Sequence, residues 1–187
     1  MKNLFIIKAH QNYPIAKGQL NSLMADDIEK FFKAHDFAVN RTNVSSSYNV
    51  KHEQEKFLWA DIIVFQFPVF WFNAPALLHQ YIQDIYEYGV FYTSSKEYGQ
   101  GGLLKGKNYM FSTTWGASDT AFKKGLWKGC HSPDEVLLPL HKTQEYIGLS
   151  ALPTFACTNV VASDNPNKYR KALQEHLQTV IKLYEHD

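Results

Sequence analysis

FLWADIIVFQFPVFWFNAPALL, residues 57–78, is the stretch from which the fold is read. Its middle, IIVFQF at 62–67, is β-branched or aromatic at every position but one, the pattern of a strand buried on both faces, and Pro68 marks its end. Residues 68–74 form a loop, and Pro75 then suits the first turn of a helix, where its missing N–H has no partner anyway. Ala76, Leu77, Leu78, Tyr81, Ile82 and Ile85 give that helix one apolar face. The unit is therefore strand, loop, helix.

The same unit repeats on either side. An apolar run at 4–7 reads as a buried parallel strand, and residues 18–34 carry Leu20, Leu23, Met24, Ile28, Phe31 and Phe32 at helical spacing. A second strand is expected at 37–44 and a short helix at 51–60. Downstream, four glycines punctuate 99–106, a fourth strand follows at 108–114, and a helix or two lead to a fifth strand at 152–161. A closing helix at 169–184 lines up Leu173, Leu177, Val180, Ile181 and Tyr184.

Five strands alternating with helices imply right-handed crossovers and a doubly wound α/β parallel sheet with helices on both faces. In the order 2-1-3-4-5, ligands bind beyond the carboxyl ends of strands one, three and four, so the loops to read are 8–17, 68–73 and 113–118. At 187 residues the chain is expected to be one domain, 1–187. A net charge of +1 with 45% apolar and 20% charged residues excludes a disordered chain and disfavours nucleic acid as a partner. No apolar run approaches the ~18 residues of a membrane span, and the amino terminus lacks a secretory signal, so a cytoplasmic protein without a transmembrane segment is expected. Cys130 and Cys157 form no CxxC, the eight histidines have no metal spacing, and GxSxG, HExxH and EF-hand patterns are missing. Cys130 beside His131 has no motif to support a thiol nucleophile, and no metal site is expected.

Each loop has a chemistry open to it. KAHQNYPIAKGQLN at 8–21 holds one glycine, so it is neither a dinucleotide turn nor a Walker loop, yet a helix beginning at 17–20 offers free N–H groups to a phosphate, with His10 and Lys17 as further donors. An ordinary strand-to-helix connection is the competing reading. In the second loop Phe70, Trp71 and Phe72 follow one another and cannot all face one interior; at least one is left for a ligand or a subunit interface, and a flat aromatic floor suits a planar ring. The third loop has Thr113, Thr114 and Gly116, whose hydroxyls and N–H groups either meet the polar edge of that ring or merely end a strand. Of 28 aromatic residues, 13 fall within 57–98, around the second loop and the helix behind it.

These segments carry a resemblance. QFPVFWFNAPALL (66–78) preceded by FLWAD (57–61) resembles the flavin-ring segment of the flavodoxin-like NAD(P)H quinone reductases, and KGQLN (17–21), YGQGGLLKGK (98–107), TTW (113–115), LPLHK (138–142) and LPTF (152–155) are similar to the bacterial branch called modulator of drug activity B. The resemblance implies a flavodoxin-like fold, a homodimer with FAD (or FMN) at the subunit interface, and two-electron, ping-pong transfer of hydride from NADPH or NADH to a quinone. Carried over by position, His10, Ala16, Lys17, Gln19 and Leu20 would surround the phosphates; Pro68, Val69, Phe70, Trp71 and Phe72 would line the ring; Thr113, Thr114, Trp115 and Gly116 would meet its edge, and Tyr98 would touch the cofactor. Where relatives carry a proton-donating tyrosine this chain has Phe122, which leaves His131 as the candidate donor beside Trp71 as the ring-stacking catalytic residue. The family also implies a second role, as regulatory subunit of a membrane potassium-efflux system. A flavodoxin-type electron carrier is disfavoured by the charge of +1, since such carriers are strongly acidic.

Overall fold

The computed structural model describes residues 2–14, 16–162 and 165–186. Strand β1 (Lys2–Lys8) leads to helix α1 (Gln19–Lys33), β2 (Phe37–Asn43), α2 (Val50–Trp59), β3 (Ile62–Pro68) and α3 (Ala76–Ile85). After a long excursion come β4 (Asn108–Thr114), two 3-10 turns (Asp119–Phe122 and Gly125–Trp127), α4 (Pro133–Val136), α5 (Leu138–Tyr146), the short β5 (Ser150–Ala151) and β6 (Phe155–Cys157), and α6 (Pro166–His186). All pairings are parallel in the order β2-β1-β3-β4-β5, with β6 also on β4, so the doubly wound 2-1-3-4-5 topology holds.

Alternation along the strands divides the buried residues between two faces. Phe5, Ile7, Ile63, Phe65, Phe67 and Phe111 face α2, α3 and α5, where Phe57, Tyr81, Phe91 and Leu140 meet them. Leu4, Ile6, Ile62, Val64 and Met110 face α1 and α6, packing on Met24, Ile28, Phe32, Leu173, Leu177 and Val180. Strand β3 is buried along its whole length, as a central strand covered on both sides must be, and the one polar side chain in it is Gln66.

One expected element is displaced. Of the strand expected at 152–161 only β6 (Phe155–Cys157) forms; β5 (Ser150–Ala151) lies ahead of that span, Leu152, Pro153 and Thr154 separate the two, and residues 158–161 belong to no strand. Pro153 has no N–H to give β4, so the ladder breaks where it stands and resumes two residues later. Pro75 precedes the first helical residue of α3 rather than occupying it.

Candidate functional site

The chain reverses direction across the sheet between β1 and β3, and the loops leaving β1, β3 and β4 meet beyond their carboxyl ends. The first loop is pinned at both ends. Ala9 N–H donates to the Gln66 carbonyl at 2.9 Å, and two bonds of 3.1 Å between Tyr13 and Ala16 close a tight turn. His10 is buried beneath it, and a Cβ on residue 18 would stand 2.0 Å from its Nδ1; Gly18, with φ 72°, is also in a backbone conformation that favours glycine. Burial, and then the Lys8 charge, hold the His10 imidazole below its ordinary pKa, so it is neutral near pH 7.

Gly18 cannot cap α1 with a side chain. The first bond of the helix runs from Ser22 N–H to the Gly18 carbonyl at 2.9 Å, so the N–H groups of Gln19, Leu20 and Asn21 stand ahead of the ladder, and no acidic residue lies in the first turn. Lys17, just before this end, is exposed to solvent. The arrangement has the polarity a phosphate requires.

The second loop is more unusual. Paired bonds of 2.9 and 3.0 Å join Phe70 to Asn73, and between them Trp71 (φ 50°) and Phe72 (φ 67°) both take left-handed backbone. Two consecutive residues at positive φ define the type I′ turn that Asn-Gly normally fills, and two bulky aromatics there are held against their own preference. Trp71 is 93% exposed and Phe72 50%, the latter set edge-on to Trp127 at 4.7 Å. Phe70 turns the other way, edge-on to Tyr13 at 5.5 Å. Between the two tight turns lies a groove of about 790 Å³, with Tyr13, Ala16, Phe70, Trp71, Pro75 and His79 in its walls. His79 Nε2 faces the Asn73 Oδ1 that also accepts Ala74 N–H, at 3.2 and 2.8 Å.

The third loop departs from expectation. Thr113 is fully buried, its hydroxyl donating to the Phe155 carbonyl at 3.0 Å and accepting from Trp115 Nε1 at 2.8 Å, while Thr114 Oγ1 accepts from Asn21 Nδ2 at 2.9 Å. Trp115 is 2% exposed and packs on Phe122. These side chains serve the interior, so any contact of residues 113–116 with a ring's edge falls to their backbone. The Gly116 position has only ordinary contact, 3.5 Å, to the Val161 side chain.

Of the expected residues Ala16, Phe70 and Trp71 line the groove, and His10, Lys17, Gln19, Leu20, Pro68, Val69 and Phe72 lie on the same two loops and the helix start between which it opens; two others lie elsewhere. Tyr98 is 92% exposed and leans on Tyr146 at the carboxyl end of α5. That end of α5 leads into β5, so within one chain Tyr98 sits at the edge of the sheet opposite the crevice. His131 is exposed; its backbone N–H donates to Glu135 Oε2 at 3.0 Å, and its ring meets no partner among the described residues. Phe122 is buried between Trp115 and Trp127. Cys157 is buried, its thiol pushed up to about 12, and is no nucleophile. Tyr13, Asn73 and His79 escaped sequence reading; the signal available for them was their place in the two loops, which names no role.

An α/β protein with a phosphate-ready helix end beside an aromatic crevice at the switch point of a 2-1-3-4-5 sheet is a flavodoxin-like one. The family model described as "Flavodoxin-like fold" matches residues 2–182, and the chain belongs to that family. It is 32% identical over 190 aligned residues to the NADPH:quinone oxidoreductase MdaB of Haemophilus influenzae, covering 96% of this chain and 99% of that one. It is 29% identical to the glutathione-regulated potassium-efflux system ancillary protein KefF of Enterobacter sp. strain 638, over 94% and 98% of the two chains. Among solved structures it is similar to general stress protein 14 of Treponema denticola in complex with FMN, at 26% identity and a TM-score of 0.74, covering 98% and 99%.

Proposed function

We propose that this protein is a flavin-dependent NAD(P)H:quinone oxidoreductase. The observation that carries the reading is the turn at 70–73: it costs backbone strain to hold a bare indole in water, which is explained if a planar ligand lies there. The residues present fit a flavin. The uncapped first turn of α1 with exposed Lys17 suits its phosphate, buried His10 supports the loop from beneath, Trp71 and Phe70 offer flat apolar surface, and the outward backbone of the turn can meet polar ring atoms.

A bound flavin would supply the hydride chemistry that no side chain here possesses. The chain's own work is positioning. Phe70 and Trp71 form one wall and α1 fixes the phosphate end, while the Trp115 N–H is spent on the Cys157 carbonyl, which leaves the Gly116 backbone as the part of the third loop open to a ligand. The site is open to solvent, so donor and quinone are read as using one face in turn, a ping-pong order with no protein nucleophile. The FMN-bound relative supports FMN over FAD, and exposed Trp71 and Phe72 with Leu126 support a homodimer whose interface covers them. Among the described residues no helix is long and apolar enough to cross a membrane. A regulatory subunit of a potassium-efflux system is a second reading, favoured by the likeness to the ancillary protein.

The test is direct. Purified protein should show flavin absorption that bleaches with NADPH and returns with menadione, and chromatography of the released cofactor identifies FMN or FAD. A colourless protein that cannot be reconstituted with either would sink the proposal; reduction by NADPH without turnover of any quinone would favour the regulatory role.

A further inference from the structure

Beneath the crevice lies a buried chain of polar side chains that none of the roles above uses. Gln66 Nε2 donates to Asn21 Oδ1 at 2.8 Å, and Asn21 Nδ2 donates to Thr114 Oγ1 at 2.9 Å. Gln66 is fully buried, and Asn21 and Thr114 are nearly so. The three belong to different elements: Gln66 lies two residues before the end of β3, Thr114 ends β4, and Asn21 is in the first turn of α1.

Among the described residues Gln66 Oε1 meets no hydrogen-bond partner, nor does Ser112 Oγ, its register neighbour on β4, so an apolar side chain of similar shape would suit the interior at least as well. What the amides add is direction. A leucine in place of Gln66 would fill the space without direction, whereas two side-chain amides bonded in sequence tie the first turn of α1 to the ends of β3 and β4, complementing the apolar face and the Asp27–Arg170 pair that hold the rest of the helix.

We propose that Gln66 is a positioning residue that acts through Asn21 and Thr114. It holds the first turn of α1, the phosphate end of the site, in register with the ends of β3 and β4, from which the ring-holding loops spring. Further bonds carry the register into those loops, since Val69 N–H donates to the Thr114 carbonyl and Ala9 N–H to the Gln66 carbonyl, each at 2.9 Å. The inference rests on the flavin reading for its consequence, though not for its geometry.

The experiment therefore has two arms. In the flavin-free protein, Gln66→Leu and Thr114→Val should each speed hydrogen exchange at the Ser22, Leu23 and Met24 amides by about tenfold, the scale of one buried hydrogen bond, while Thr114→Ser, which keeps the acceptor, should exchange like the wild type. In titrations with FMN the same two variants should bind about tenfold more weakly and the serine variant normally. Unchanged exchange in both Gln66→Leu and Thr114→Val overturns the positioning role, whatever happens to FMN. Failure of the wild type to bind FMN or FAD overturns the flavin reading instead, and the exchange arm still judges the network. Should Gln66→Leu fail to fold, the valine and serine pair carries the test.

Discussion

Aromatic side chains are used in two opposite ways within thirty-odd residues of one another. Between the sheet and α2 and α3, Phe57, Phe65, Tyr81 and Phe91 are fully buried, with Phe57 against Phe91 at 5.1 Å and Phe65 edge-on to Phe111 at 5.7 Å. In the turn after β3, Trp71 and Phe72 lie in water on left-handed backbone. The first group stabilises the fold by being removed from solvent. The second costs stability and earns its place only through what it binds. The same composition thus marks a core in one region and a site in the other, and backbone dihedrals separate the two where residue type cannot.

The largest effect should come from breaking the core side of that contrast. Phe65→Ala is expected to cost about 4 kcal/mol, lowering the thermal midpoint by roughly 10 °C, while any flavin bound by the surviving fold keeps its affinity; calorimetry and titration check both. Gly18→Ala is expected to cost about 2 kcal/mol, because the new methyl overlaps the His10 ring and sits at positive φ. Urea melts would show it.

Trp71→Gly sharpens the contrast most directly. It relieves a strained position that has almost no packing to lose, so stability should rise by about 1 kcal/mol, whereas FMN affinity should fall about tenfold. A melt and a flavin titration on the one variant should move in opposite directions; a loss of stability would return Trp71 to the structural group.

The smallest effect is electrostatic. His10 stands 6.4 Å from the Tyr13 ring and 6.5 Å from Phe70, and its folded pKa lies below the ordinary 6.5. The unfolded chain therefore binds the proton more readily, and stability should be full above pH 6.5 and decline as pH falls from there toward the lowered folded value. Thermal midpoints between pH 7.5 and 5.5 measure this, and His10→Gln should flatten the dependence.

How much of this was legible follows from which forces act locally. Strand β4 appears at the expected 108–114 and α1 within a residue of its expected bounds, because unbroken apolar runs and 3.6-residue spacing are properties of the segment itself. The division at Pro153 was missed although the proline was in view, since an apolar stretch such as LPTFAC reads as one strand until pairing with β4 is considered. At the site, the crevice loops were legible from topology. The inward commitment of Thr113, Thr114 and Trp115 was not, as it depends on Phe155 and Asn21, each some 40 to 90 residues away in the chain. Gln66 was the one polar letter in a buried strand, a visible anomaly whose meaning required its partner on α1.

The interruption of the outermost strand has a consequence for solubility in a crowded solution. A sheet margin with a long row of unused N–H and C=O groups is a template onto which another chain can zip, and such growth ends in fibres. Beyond β4 this sheet presents only two paired residues, then a proline-bearing gap, then three. An intruding strand would find no continuous ladder there, so the break protects the protein from templated aggregation along that margin.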